Sequence, residues 1–122
     1  MPKFRLGLAA ALAGLTAACS PISLFATLTP KDPAVRIAEG VSYGADPRQK
    51  LDIYEPRGAA AGAPVAVFFY GGGWNSGRRQ DYGWVGRALA SKGFVTVVAD
   101  YRLYPQVRYP DFLEDGALAV RW

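Results

Sequence analysis

The chain has 122 residues, 51% of them hydrophobic and 20% charged, a balance that fits one small globular domain and excludes a disordered chain. Its formal net charge is +4, but Lys3 and Arg5 lie in a segment predicted to be removed. Without them, 12 of the 14 basic residues remain against 10 acidic ones, and the basic residues are scattered along the chain. This weak positive charge argues against a nucleic-acid partner.

The first 19 residues have the pattern of an export signal. Lys3 and Arg5 precede an apolar run over residues 6–17, and Cys19 follows the small residues Ala17 and Ala18. This arrangement resembles the lipobox of bacterial lipoproteins, although Thr16 stands where leucine is commoner. The resemblance implies lipidation of Cys19, which would hold an exported protein on the membrane of the bacterial cell envelope.

Three other fates of this leader stay open. They are secretion or periplasmic release after cleavage near Ala18 or Ala26, and an uncleaved N-terminal anchor. Because Cys19 is the only cysteine, an internal disulfide is excluded.

We predict a signal peptide over residues 1–19, a linker over 20–34 and a partial α/β domain over 35–122. The linker segment carries Ser, Thr and Pro without a sustained period. Alternation around Val41 and Tyr43, and again over 50–54, predicts two strands of an antiparallel hairpin.

The run 65–70 is apolar at nearly every position, which predicts a central strand covered on both faces. Helical spacing of apolar residues follows over 82–92, with Gly93 as the C-terminal cap, and 94–99 predicts a second buried strand. The fold class is therefore α/β, with a hairpin, a parallel β-α-β unit and a further helix opened by Pro110.

A glycine-rich loop, Gly71-Gly72-Gly73-Trp74, directly follows the first apolar strand. Glycines at the end of a strand expose backbone N–H groups that can hold a developing negative charge, although a plain tight turn would have the same pattern. The chain has no histidine, and none of its serines stands in a G-x-S-x-G elbow, so the usual base and nucleophile are missing.

This loop and the later run Asp100-Tyr101-Arg102-Leu103-Tyr104-Pro105 together resemble the α/β-hydrolases, and more closely carboxylesterases of the hormone-sensitive-lipase and feruloyl-esterase type. The resemblance covers about residues 40–122. It implies that Gly72, Gly73 and Trp74 form an oxyanion hole for a small-molecule ester. Tyr70 stands where the family usually has a histidine that supports the loop.

Several polar residues near these motifs have structural interpretations that we prefer to catalytic ones. Asp100 and Arg102 are expected to form an ion pair that fixes the loop after the strand, and Asp115 to be a partner of that loop. Ser76, without a histidine, stays an ordinary alcohol.

The aromatic residues Trp74, Tyr82 and Trp84 could line an acyl pocket, but core packing is the preferred interpretation. No cluster of His and Cys supports a metal site, and no cofactor is expected.

Two alternatives stay open. A dinucleotide-binding β-α-β unit has the same layout, but Ser76 stands where its third glycine should be. A non-catalytic, hydrolase-like lipoprotein fits the missing triad. We prefer the N-terminal fragment of a carboxylic ester hydrolase, inactive alone, because a strand as apolar as 65–70 should not lack a neighbour at its edge.

Overall fold

The computed structural model describes residues 21–28, 33–59 and 61–122. Its helices are α1 (Pro21–Leu28), α2 (Gly83–Ser91) and α3 (Asp111–Arg121), and its strands are β1 (Ala34–Ser42), β2 (Lys50–Pro56), β3 (Val65–Phe69) and β4 (Val95–Ala99). A short 3-10 helix, Arg79–Tyr82, leads into α2. The predicted signal segment and Cys19 lie outside the described residues.

The four strands form one mixed sheet in the order β1-β2-β4-β3. Strands β1 and β2 pair antiparallel, as the alternating pattern predicts. Strands β3 and β4, which α2 connects along the chain, pair in parallel. Gly93 follows α2 with φ 99°, the left-handed conformation that a glycine cap adopts. The predicted α/β class, with a hairpin and a parallel β-α-β unit, is confirmed.

The prediction that the apolar strand over 65–70 is central and covered on both faces is wrong for the described part of the chain. Strand β3 lies at the edge of the sheet, and Val65 and Phe69 are 64% and 37% exposed. The buried central strand is β4, which pairs with β2 on one side and β3 on the other. An all-apolar run indicates a strand made for burial, but its composition does not say which strand lies inside.

Side chains alternate across the sheet and divide the core in two. On one face, Leu51, Val97 and Ala99 pack with Ala119 of α3. On the other face, Tyr54 and Val98 pack with Ala90 of α2. The helices therefore cover opposite faces, and the loop after β3 lies at the edge where β3 and β4 both end.

The segment predicted as a linker contains helix α1, which the sequence pattern does not indicate. Ser23 Oγ donates to Asp81 Oδ1 at 2.9 Å, and the Phe25 ring meets Trp84 edge-on at 5.3 Å. Helix α1 has eight residues, a length at which helices in water depend on tertiary contacts. None of the described helices is long and apolar enough to cross a membrane.

Candidate active site

The glycine loop after β3 has a backbone that ordinary residues rarely adopt. Gly72 and Gly73 have φ of 140° and 59°, and Trp74 has φ of 64°. A Cβ on Gly72 would lie 2.3 Å from the Ser76 carbonyl oxygen, so only glycine fits there. The Gly72 carbonyl oxygen accepts from Asn75 N at 3.2 Å and from Ser76 Oγ at 3.0 Å, which closes the turn.

The amide groups of this loop are left available. Among the hydrogen bonds of the described residues, none has the N–H of Gly72, Gly73 or Trp74 as its donor. The position of a Cβ on Gly73 is open, with Asn75 Oδ1 as the nearest atom at 3.8 Å. An oxygen from outside the chain could therefore approach these donors, which is one requirement of an oxyanion hole.

The ring of Trp74 stands beside an apolar cleft. It stacks on Phe112 of α3 at 5.0 Å, meets Tyr101 edge-on at 5.5 Å and is 48% exposed. The Trp74 carbonyl accepts from Tyr104 N at 2.8 Å, which ties the loop to the chain after β4. The cleft measures about 220 Å³ and is lined by Phe69, Trp74, Tyr101, Phe112, Leu113 and Gly116.

The other two aromatic residues of the predicted cluster pack elsewhere. Tyr82 stacks on Tyr70 at 5.2 Å, and Trp84 packs against Phe25 of α1. Core packing, the interpretation preferred from the sequence, therefore describes Tyr82. Trp84 packs instead against α1, and Trp74 lines the apolar cleft.

Tyr70 supports the glycine loop from below. Its ring lies between those of Tyr82 and Tyr101, and its hydroxyl donates to Asp100 Oδ1 at 2.5 Å. Arg48 Nη2 donates to the same hydroxyl at 2.9 Å, and Tyr101 Oη donates to the Tyr70 carbonyl at 2.6 Å. Burial and the hydrogen bond to Asp100 raise the pKa of the Tyr70 phenol, so Tyr70 is a neutral hydrogen-bond donor.

Asp100 does not pair with Arg102, and that prediction is wrong. Its Oδ1 also accepts from Arg79 N at 2.7 Å, and its Oδ2 accepts from Arg79 Nη1 at 2.6 Å. Alternation along β4 places Asp100 on the same face as Val98, the face covered by α2, and Arg79 reaches it there. Because both carboxylate oxygens accept hydrogen bonds from residues around the loop, Asp100 holds the loop in place.

Arg79 is the residue that sequence reasoning missed. It is 9% exposed, and its Nε donates to Asp52 Oδ1 at 2.8 Å while Nη1 donates to Asp100. Gly40 N also donates to Asp52 Oδ1, at 2.7 Å, from an irregular stretch of β1. Burial would lower the pKa of the Arg79 guanidinium, but its two carboxylate partners outweigh burial and raise it.

Arg102 instead binds Asp115, which the sequence predicts as a partner of this loop, and that prediction is confirmed. Arg102 Nη2 lies 2.7 Å from Asp115 Oδ1, and Arg102 N donates to Oδ2 at 2.9 Å. Arg102 Nε donates to Oδ2 at 3.0 Å, and Gln49 Nε2 donates to Oδ1 at 2.8 Å. Burial would raise the pKa of the Asp115 carboxyl, but these hydrogen bonds outweigh it and lower the pKa.

The loop geometry argues against dinucleotide binding. Helix α2 begins at Gly83, ten residues after Gly73, so its N-terminus is not part of the glycine turn. A dinucleotide fold instead places its phosphates on a helix that starts within the turn. No group of three or more His, Cys, Asp or Glu side chains in the described ranges could hold a metal ion.

One family model and several named esterases match this chain. The family model described as BD-FAE matches residues 51–122, which is more than half of the chain. Esterase LipC of Mycobacterium tuberculosis is 39% identical over 85 residues, and a probable isoprenylcysteine alpha-carbonyl methylesterase of Oryza sativa is 35% identical over 82. Each alignment includes 67% of this chain.

A solved structure, esterase B from Lactobacillus rhamnosis, superposes with a TM-score of 0.78 at 28% identity and covers 94% of this chain. The match includes 38% of that esterase, and the chain spans about a fifth of the length of LipC and of the rice protein. The described part of the chain thus has the fold of one portion of such enzymes.

Proposed function

This chain belongs to the BD-FAE family, and on that premise we propose that it forms the oxyanion-binding part of a carboxylic ester hydrolase. The observation that carries the proposal is the glycine loop, whose amides at Gly72, Gly73 and Trp74 have no acceptor among the described residues. The esterase names of its relatives supply the reaction class.

In this proposal the carbonyl oxygen of a small-molecule ester accepts hydrogen bonds from Gly72 and Gly73, with Trp74 beside them. When a nucleophile attacks the ester carbon, the oxygen becomes negative and these fixed donors stabilise it. Each donor of this kind contributes roughly 3–4 kcal/mol to the transition state. Because the loop is already fixed by Tyr70 and by the Gly72 turn, no reorganisation is needed.

The nucleophile, the acid and the histidine belong, in this proposal, to the part of such an enzyme that these 122 residues do not cover. The chain has no histidine, so Ser76 has no base to activate it. Its hydroxyl donates to the Gly72 carbonyl and so serves the loop.

The apolar cleft beside Trp74 suits the hydrocarbon part of the ester. It adjoins the glycine loop, and Phe69, Phe112 and Leu113 line it together with Trp74. An ester bound with its carbonyl oxygen on the loop could place its acyl chain or its alcohol group against these rings.

A chimera tests this proposal directly. Residues 51–122 replace the matching segment of LipC, and hydrolysis of p-nitrophenyl butyrate is measured. We expect an active chimera in which Gly73→Val lowers kcat by about 10²–10³, the loss caused by a misplaced oxyanion donor.

Gly62→Val is the matched control, because Gly62 also has a positive φ of 88° and no atom within 4 Å of its Cβ position. It should leave kcat unchanged. An active chimera that is insensitive to Gly73→Val would contradict the proposed role of the loop. The 122-residue chain alone should show no turnover above its Gly73→Val variant, and clear turnover would mean that the nucleophile lies within it.

We further propose that the protein is exported and held at a membrane of the bacterial cell envelope by acyl chains on Cys19. The support is the basic and apolar leader followed by small residues and a single cysteine. Labelling with a palmitate analogue in a bacterial host should mark the wild type and not Cys19→Ser. A labelled Cys19→Ser would exclude Cys19, and an unlabelled wild type found in the medium or periplasm would favour simple secretion.

A further inference from the structure

A second cleft lies on the α2 face of the sheet, between α1, β1 and α2. It measures about 220 Å³, and its lining includes Ala26, Arg36, Tyr54, Gln80, Trp84 and Arg87. A water molecule has a share of about 30 Å³ in the liquid, so the cleft has room for a polyatomic group. None of these residues belongs to the glycine loop or to its apolar cleft.

Two arginines converge on this cleft around the buried ring of Tyr54. Arg36 on β1 is the cross-strand partner of Tyr54, and the Arg87 guanidinium carbon lies 5.7 Å from the centre of the Tyr54 ring. The two cations come from separate elements, a strand and a helix, and both line the cleft together with Tyr54.

The charge at the cleft is only partly balanced. Arg36 Nη2 meets Glu39 Oε2 at 2.7 Å, and Glu39 is itself half exposed. Arg87 Nη1 donates to the neutral Ala34 carbonyl at 2.9 Å, and no ion pair of Arg87 occurs among the described residues. The two guanidinium groups at the cleft are therefore balanced by only one carboxylate, and the remaining positive charge would attract an anion.

The first turn of α2 borders the same cleft. Gly83 and Trp84 line the cleft, Tyr82 provides no side-chain cap, and the turn carries no acidic residue. The Trp84 indole Nε1 is buried without a hydrogen-bond partner in the described part of the chain. A residue that lines the cleft beside the two arginines thus carries a hydrogen-bond donor without a partner among the described residues.

We propose that this cleft binds a phosphate group, with Arg36 and Arg87 as its cationic ligands. A phosphate carries close to two negative charges and accepts paired hydrogen bonds from arginine. It could be a free phosphate or phosphomonoester, or the headgroup of a phospholipid. Leu24 and Leu28 of α1, 53% and 73% exposed, lie on the helix that borders the cleft and could contact lipid chains.

The test uses the 122-residue chain with Trp74→Phe and Trp122→Phe, so that Trp84 is the only fluorophore of its type. Sodium phosphate is titrated against sodium chloride of equal ionic strength. Vesicles of phosphatidylglycerol are compared with vesicles of phosphatidylcholine. We expect an anion-specific change in Trp84 emission that Arg36→Gln and Arg87→Gln each weaken about tenfold or more.

Arg57→Gln removes the same charge from an exposed turn and is the matched control. Arg36 is on an exposed stretch of β1, so Arg36→Gln should keep the fold even if Arg87→Gln does not. A response to inorganic phosphate identifies a soluble ligand. A response confined to phosphatidylglycerol vesicles, and reduced by Leu28→Ser, identifies a headgroup. No response in either arm, or equal weakening by Arg57→Gln, would overturn the proposal.

Discussion

Replacing Arg79 by methionine removes the single guanidinium that joins Asp52 and Asp100 inside the sheet. These aspartates are 0% and 4% exposed, so the variant leaves two buried carboxylates without their main counter-ion. Removing one partner of a buried ion pair costs about 3–5 kcal/mol, which is a large part of the stability of a small domain. With a urea dependence of about 2 kcal/mol per molar, the unfolding midpoint should fall by roughly 1.5–2.5 M.

The assay is urea unfolding followed by tryptophan fluorescence, with Arg57→Met as the matched control in an exposed turn. The control should change the free energy of unfolding by less than about 0.5 kcal/mol. Arg79→Lys keeps the charge but not the paired donors, so its free energy of unfolding should lie between those of Arg79→Met and Arg57→Met. If Arg79→Met and Arg57→Met lower the free energy of unfolding by the same amount, the ion-pair network of Arg79 does not stabilise the fold.

Three further predictions concern single contacts. Because the pKa of the Asp115 carboxyl is lowered from its ordinary value of 3.8, its ionised form stabilises the folded state. The difference in unfolding free energy between wild type and Asp115→Asn should therefore be full above about pH 5 and vanish as the pH falls through the lowered pKa. Urea unfolding at a series of pH values measures this difference. The raised pKa of the Tyr70 phenol gives the opposite pH dependence: its contribution to the free energy of unfolding is full below pH 10.0 and is lost as the pH rises further. Tyr70→Phe should therefore show a smaller loss of stability in alkali than the wild type. Gly86→Ala places a Cβ 2.4 Å from the Tyr54 ring, so thermal unfolding should show a lower melting temperature although alanine is the better helix former by about 1 kcal/mol.

The local parts of this structure follow from the sequence. The glycine loop, the two apolar runs and the intervening helical period are patterns of neighbouring residues, and they predict the β-α-β unit and the position of the loop. The resemblance of the two motifs to the α/β-hydrolases, and the expectation of a carboxylesterase relation, agree with the BD-FAE match.

The parts that the sequence does not predict depend on distant contacts. Arg79 meets Asp52 and Asp100, which are 27 and 21 positions away, and nothing near Arg79 marks it as buried. Helix α1 has no amphipathic pattern strong enough to predict it and is bound through Asp81 and Trp84. The edge position of β3 is set by the order of the strands, which composition does not contain.

The side chain of Asp100 also constrains how this family can vary. Its carboxylate accepts hydrogen bonds from the Tyr70 phenol, which follows β3, and from the Arg79 guanidinium of the 3-10 helix. Arg48, in the connection between β1 and β2, donates to the same phenol. A histidine in place of Tyr70 would be shorter and would lose the contact with Arg48. Positions 48 and 70 should therefore change together among relatives, whereas position 79 should stay basic wherever 52 and 100 stay acidic.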